Sequence, residues 1–189
     1  MKFEIKNRFN GSVIVSLETE SLKLAVEAAV KQGADLSSAD LYSADLSSAD
    51  LSSANLYRAD LSRAKGINPN VCTPLLFLKD QPGKIRAYKL VKKNNEGPYQ
   101  GGIKYEIGET YKVDDADIDV GVQCASGINL ATLDWCMSEW QEGNKILIAE
   151  FEAKDIAAIP TATDGKFRCH KVKIVGEKDL KEIGLIAKD

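Results

Sequence analysis

The chain has 189 residues, 44% hydrophobic and 28% charged, with 25 basic and 28 acidic side chains and a net charge of −3. Such a composition excludes wholesale disorder, and the interspersed charges exclude a dedicated nucleic-acid face. No apolar run reaches the roughly 20 residues that a membrane-spanning helix requires, and Met1-Lys2-Phe3-Glu4-Ile5-Lys6 lacks the apolar stretch of a signal peptide, so a cytoplasmic location is expected.

The four cysteines, Cys72, Cys124, Cys136 and Cys169, show no CxxC spacing, and His170 is the only histidine. Neither a metal site nor a disulfide framework is expected from that arrangement; buried, reduced thiols are. No cofactor is expected.

Taken in chain order, Phe3 and Ile5 alternate with charges. Asn10-Gly11 then interrupts, and Val13, Ile14, Val15 and Leu17 follow. Asn-Gly between two such runs predicts a β-hairpin. From Ser21 the period changes: Leu22, Ala25, Val26, Ala29 and Val30 form one apolar helix face. Thr19 or Ser21 is placed to cap its start, and Gly33 stands where a helix-terminating glycine belongs.

Alanine then recurs every fifth residue from Ala34 to Ala64, leucine two places after it from Leu36 to Leu61, and Asp or Asn between them. A period of five fits neither a helix nor a flat strand. It fits a solenoid whose units each turn one corner, with Ala and Leu inward and the Ser, Tyr and Arg positions outward. Aspartates at such corners serve the local backbone. These residues resemble the A(D/N)LXX motif of the pentapeptide-repeat family over six units, Ala34 to Arg63, with a degenerate seventh, Ala64 to Asn68. The resemblance implies a right-handed quadrilateral β-helix with four units, about twenty residues, per coil. Leu56 would stack on Leu36 and Leu61 on Leu41, and the preceding helix, Ser21 to Gln32, would cap the first coil.

After Asn68, Pro69, Pro74, Pro82 and Gly83 punctuate a transition, within which Leu75-Leu76-Phe77-Leu78 is read as a strand or cap over the last coil. Beyond it the pattern predicts strands at Ile85–Val91, over Ile103–Val113 in two pieces around Gly108, at Val120–Cys124, at Lys145–Ala153 and at Phe167–Val175. A helix is expected along Leu130, Leu133, Met137 and Trp140, and a short one from Glu177 to Ile186. The expected fold is therefore mainly β: hairpin and capping helix over 1–33, β-helix over 34–68, linker or cap over 69–83, and an α+β domain over 84–189.

Candidate functional residues are few. Tyr42 and Tyr57 point outward on different faces. Arg58, Arg63 and Lys65 read as a solvated basic rim. Trp140 shares the apolar stripe, whereas Trp135 falls off it and is a candidate to line a surface or pocket. Cys169 and His170, neighbours on a strand, point to opposite faces and cannot act as nucleophile and base together.

Three stretches, Lys104–Tyr111, Cys124–Asn129 and Asp164–Arg168 with Lys171 and Lys173, resemble a domain found beside pentapeptide repeats in phage and prophage proteins; that resemblance brings no activity with it. Gly127-Ile128-Asn129-Leu130-Ala131 is similar to a stretch of ADP-ribosyltransferases. That likeness implies NAD as ligand, Arg86 and Tyr88 as binding candidates beside Trp135, and Glu150 as a catalytic candidate, although Asn129 replaces the family's aromatic and the first strand lacks its histidine. Some pentapeptide-repeat proteins mimic DNA and bind type II topoisomerases, but residues 1–66 carry nine acids against eight bases, which is not the charge of a DNA mimic. A non-enzymatic binding protein of phage or prophage type is the expected function, with an ADP-ribosyltransferase-like domain, active or degenerate, and the mimic as alternatives. A homodimer is expected, because a coil and a half leaves an incomplete layer.

Overall fold

Alternation at Phe3 and Ile5 produces strand β1 (Lys2–Lys6), which pairs antiparallel with β2 (Val13–Glu18) across the Asn10-Gly11 turn. The computed structural model describes residues 1–51, 54–99 and 102–187, which form two compact units. The described residues are mainly β, with few helices.

Unit 1 comprises Met1–Leu76, Asp119–Cys124 and Ile159–Asp164. Helix α1 (Leu22–Lys31) starts at Ser21, whose hydroxyl accepts from the Leu24 amide at 3.2 Å, and ends before Gly33 at φ +72°. Its apolar face is the one that the spacing predicts: Ala25, Val26, Ala29 and Val30 are buried and Leu22 partly so. Val26 and Ala29 share one apolar cluster with Leu36, Ala39, Leu41, Leu46, Leu56 and Leu61 of the repeats.

Within the repeats, residues twenty apart lie side by side. Parallel bridges join Asp40 to Asp60 and Asp45 to Lys65, and the Asn55 amide donates to the Asp35 carboxylate at 2.9 Å. The main chain repeats the offset: Leu41 N donates to Asp60 O, Asp60 N to Ala39 O, and Lys65 N to Ala44 O. Five units of the described residues turn alike. The side chains of Asp35, Asp40, Asp45, Asn55 and Asp60 accept from the amide two residues on. The last residue of the unit then turns through the left-handed region, as Ser38, Ser43, Ser48, Arg58 and Arg63 do at φ between 56° and 62°. That conformation costs a non-glycine residue about 1 kcal/mol, and the side-chain bond and ladder offset it. The outward positions of the fourth unit, 52 and 53, lie outside the described residues.

The chain entering and leaving the repeats closes them. Asp40 N donates to Lys6 O and Arg8 N to Ser38 O, so the end of β1 runs along the first units. After the last unit comes the short helix α2 (Pro69–Cys72), and the apolar cluster includes Cys72 and Ala162. The Ala162 amide donates to Thr73 Oγ1 at 2.9 Å. Leu75-Leu76-Phe77-Leu78 is not a strand but part of a 3-10 helix, Pro74–Asp80. Val120–Cys124 is likewise not a strand; it is a turn segment tied to Thr161, whose amide donates to Val120 O.

Unit 2 holds a 7-stranded antiparallel sheet. Its strands are β3 (Lys84–Val91), β4 (Thr110–Lys112), β5 (Ile128–Ala131), β6 (Lys145–Glu152), β7 (Ile156–Ala158), β8 (Lys166–Cys169) and β9 (Lys171–Glu177). They run in the order β4-β9-β6-β3-β5-β8-β7. The longest ladder pairs β3 with β6 from Lys84↔Glu152 to Val91↔Lys145. The expected helix over Leu130–Trp140 is shorter: Leu130 belongs to β5, and α3 covers only Leu133–Ser138. The expected strand over Phe167–Val175 is broken at His170, whose amide donates to Asp155 O. The expected helix from Glu177 to Ile186 is a series of turns, because Asp179 takes the amides of Lys181 and Glu182 in a local turn instead of opening a helix.

Candidate functional site

Strand pairing in unit 2 brings two of the sequence candidates together and separates them from the other two. Register sets Arg86 opposite Glu150, and Lys84 one pleat further along the same face. Glu150 is gripped from both: Lys84 Nζ lies 2.8 Å from one carboxylate oxygen and Arg86 Nε 3.5 Å from the other. The Lys84 hydrogen bond holds the Glu150 carboxyl below the usual carboxylate range, and Glu150 in turn raises Lys84. Glu150 is therefore ionised at neutral pH and has no proton to donate. Beside it is a shallow depression of about 160 Å³ lined by Thr110, Glu152, Asp155, Lys171 and Lys173 as well as Lys84. The other carboxylates are engaged too. Glu152 pairs with Lys154, and Asp155 accepts the Glu152 amide at 2.9 Å. A solvated sheet face carrying cross-strand ion pairs accounts for these charges.

Tyr88 and Trp135 are elsewhere. Leu90↔Ile146, four residues or about 13 Å along the ladder from Arg86↔Glu150, marks an apolar cluster. There Trp135 is only 6% exposed and packs with Leu90, Ala131, Cys136 and Ile146, and half-buried Tyr88 leans on the same group. Trp135 is thus a core residue of α3, while Trp140 lies beyond the helix and donates through Nε1 to Asn144 O at 2.9 Å. Asn129 is turned into its own loop. Its side-chain amide donates to Ala125 O and Gly127 O, and its main-chain carbonyl accepts from Lys89.

Two buried cations lie in unit 2 that patterning alone did not single out. Arg168 is fully buried and donates through Nε to Asp117 O. Lys89 is buried on β3 with its ammonium 4.4 Å from the Tyr105 ring centroid and 2.9 Å from Asn129 O. Burial depresses Lys89 to about 8 and raises the facing Tyr105 to about 12. The Cys136 and Cys169 thiols are pushed up by the same desolvation, which makes them unreactive. Among the described residues, no group of three or more His, Cys, Asp or Glu side chains could hold a metal ion.

Unit 1 assembles a different surface. The turn between β1 and β2 places Phe9 so that the Arg8 and Arg58 guanidinium carbons lie 5.1 and 5.8 Å from its ring centroid. Arg58 also reaches the Tyr57 ring at 5.9 Å, and Arg8 Nη1 donates to Arg58 O at 3.3 Å. On the neighbouring stack Arg63 lies 5.7 Å from the Tyr42 ring. What reads in the sequence as a basic rim with separate tyrosines is a set of arginines laid against aromatic rings. Phe9 and Arg8 give no sign of this in the sequence, since only the folding of the hairpin onto the repeats brings them to Arg58.

Residues 32–65 match the family model of pentapeptide repeats, in 8 copies. This segment is a run of pentapeptide repeats. The match begins two residues before Ala34 and leaves unit 2 untouched. No curated protein and no solved structure matches the chain. In the pentapeptide repeats the buried residues are Ala and Leu positions, with Ala34, Ala49, Leu51, Ala54 and Ala64 only partly so, and the tyrosines and arginines occupy the outward positions.

Proposed function

We propose that this chain is a non-enzymatic binding protein of phage or prophage type, working in the cytoplasm. Its pentapeptide repeats, wound as a short right-handed quadrilateral β-helix, form the scaffold, and unit 2 is a second binding module. The twenty-residue offset of the Asp40/Asp60 and Asp45/Lys65 bridges supports the four-sided coil. The observation that carries the binding role is the outward cluster of Tyr57, Arg58, Arg8 and Phe9, because aromatic residues and arginine dominate the energetics of protein interfaces.

In-cell crosslinking from a photoreactive residue at position 57, with position 79 as control, tests the proposal in a bacterial host. Specific recovery of one partner from position 57 supports it, and recovery of nothing from that face overturns it. A crosslinked species of twice the chain mass would assign the face to the expected homodimer. Turnover of NAD by the purified chain, lost in Glu150→Gln, would overturn the non-enzymatic reading.

A further inference from the structure

Resting on the reading of the repeats as a binding scaffold, we infer that the partner is an acidic protein segment, whose carboxylates are taken by Arg8, Arg58 and Arg63 while its apolar side chains pack on Phe9, Tyr42 and Tyr57. A guanidinium laid on an aromatic ring uses its face for that contact. Its N–H donors lie in the plane, in the fork that matches a carboxylate; Arg8 gives one of its own to Arg58 O and the Arg58 Nε is buried, so the remaining donors are the ones offered. Arg8 and Arg58 share one ring, so two positive charges are held close together at the surface. Neither Arg8 nor Arg63 forms an ion pair among the described residues. The surface therefore offers preorganised positive charge whose complement an incoming carboxylate would provide.

The same surface discriminates against a polyanion. Asp35 and Asp40 are exposed and Asp60 half-buried in the same repeats, and residues 1–66 hold nine acids against eight bases. A nucleic-acid strand, which brings a phosphate at every step, would meet those aspartates as well as the arginines, and its long-range attraction is cancelled. Isolated carboxylates spaced along a peptide reach the arginines and avoid the aspartates. Phe9 at 59% and Tyr57 at 45% exposure form an open patch, which suits a chain segment and not an enclosed small molecule.

Fluorescence anisotropy with the full chain tests the inference. The probes are a labelled short peptide of Glu, Asp and Leu, the same peptide with Lys replacing the acids, and a thymidine oligonucleotide of equal charge. The acidic peptide is expected to bind, more weakly at higher salt, and the other two are not. Arg8→Glu combined with Arg63→Glu should weaken binding by about tenfold or more, and Phe9→Ala, in an exposed turn that leaves the apolar core intact, should weaken it as well. Failure of the acidic peptide to bind, indifference to these substitutions, or equal binding of the oligonucleotide would overturn the inference. If the peptide fails while crosslinking from position 57 still recovers a partner, the acidic chemistry is wrong and the scaffold reading stands; if both fail, both are wrong.

Discussion

Gly66 approaches Ser47 so closely that a methyl group on it would lie 2.2 Å from the Ser47 Cα and 2.6 Å from its nitrogen. Gly66 stands at the leucine position of the degenerate seventh repeat, where the chain turns away at φ +71°. Its neighbour there is backbone, which cannot swing aside. Gly66→Ala is therefore expected to destabilise unit 1 by about 2–4 kcal/mol, combining overpacking with left-handed strain. Gly33→Ala is the control: φ is +72°, but nothing lies within 4 Å of the added carbon. It should cost only about 1 kcal/mol. Equal denaturation midpoints for the two variants would contradict the close approach.

Helix α1 and the repeats share one core, so a charge on the helix face should undo both. Val26 and Ala29 are 0% exposed. Val26→Asp or Ala29→Asp buries an unpaired carboxylate at a cost of several kcal/mol. Proteolysis followed by mass spectrometry should show cleavage within residues 1–68. Protection equal to that of the unaltered chain would dissociate the helix from the repeat core.

Lys89 gives unit 2 a pH dependence of predictable sign. Its folded value of about 8 lies below the ordinary 10.5. Between those values the unfolded chain holds a proton that the folded chain has lost, so this lysine makes stability rise with pH. Cys72, Cys136 and Cys169, raised from 9.0, and Tyr105, raised from 10.0, act in the opposite sense at higher pH, because the folded chain keeps their protons. The unfolded chain's thiols already begin to lose protons between pH 8 and 9, so the lysine is isolated there by comparison with Lys89→Met, which keeps every thiol. There the unaltered chain should gain up to about 1.4 kcal/mol relative to Lys89→Met. At pH 7 the Met variant should be as stable as the unaltered chain or more so, since a buried charge is replaced by a side chain of similar length. Parallel stability curves for the two proteins across pH 7 to 9 would show that Lys89 is not held in this state.

The two tryptophans should separate cleanly. Trp135→Ala removes a 6% exposed ring from the α3 cluster and should cost about 3–5 kcal/mol. Trp140→Phe keeps most of the packing and loses the hydrogen bond to Asn144 O, at a cost of about 1 kcal/mol. Chemical denaturation followed by circular dichroism measures both. A larger loss for Trp140→Phe would reverse the assignment of core and periphery.

Local signals alone determined the hairpin, helix α1 with its buried face, and the repeat register. Each rests on contacts close in sequence: the Asn10-Gly11 turn, the 3.6-residue stripe, and an Asp whose side chain serves the amide two residues on. The pairing of Asp40 with Asp60 has the twenty-residue offset that the resemblance to pentapeptide repeats implies; the five-residue period alone does not fix how many units make a coil. Tertiary structure decided the rest. Trp135 breaks an apolar stripe that never forms, since Leu130 is taken into β5 by pairing with Phe167, and the core closes on Trp135 instead. Segments 119–124 and 159–164, distant in the chain, join unit 1, which no composition shift announces. Glu150 was visible as a carboxylate on a strand, yet its ionised, doubly paired state depends on register with Lys84 and Arg86. Arg8 and Arg58, fifty residues apart, meet over Phe9 because the end of β1 hydrogen-bonds along the first repeats. A local pattern encodes which way a side chain faces, but which distant side chains share that face is settled only when backbone donors and acceptors find their partners in the folded chain.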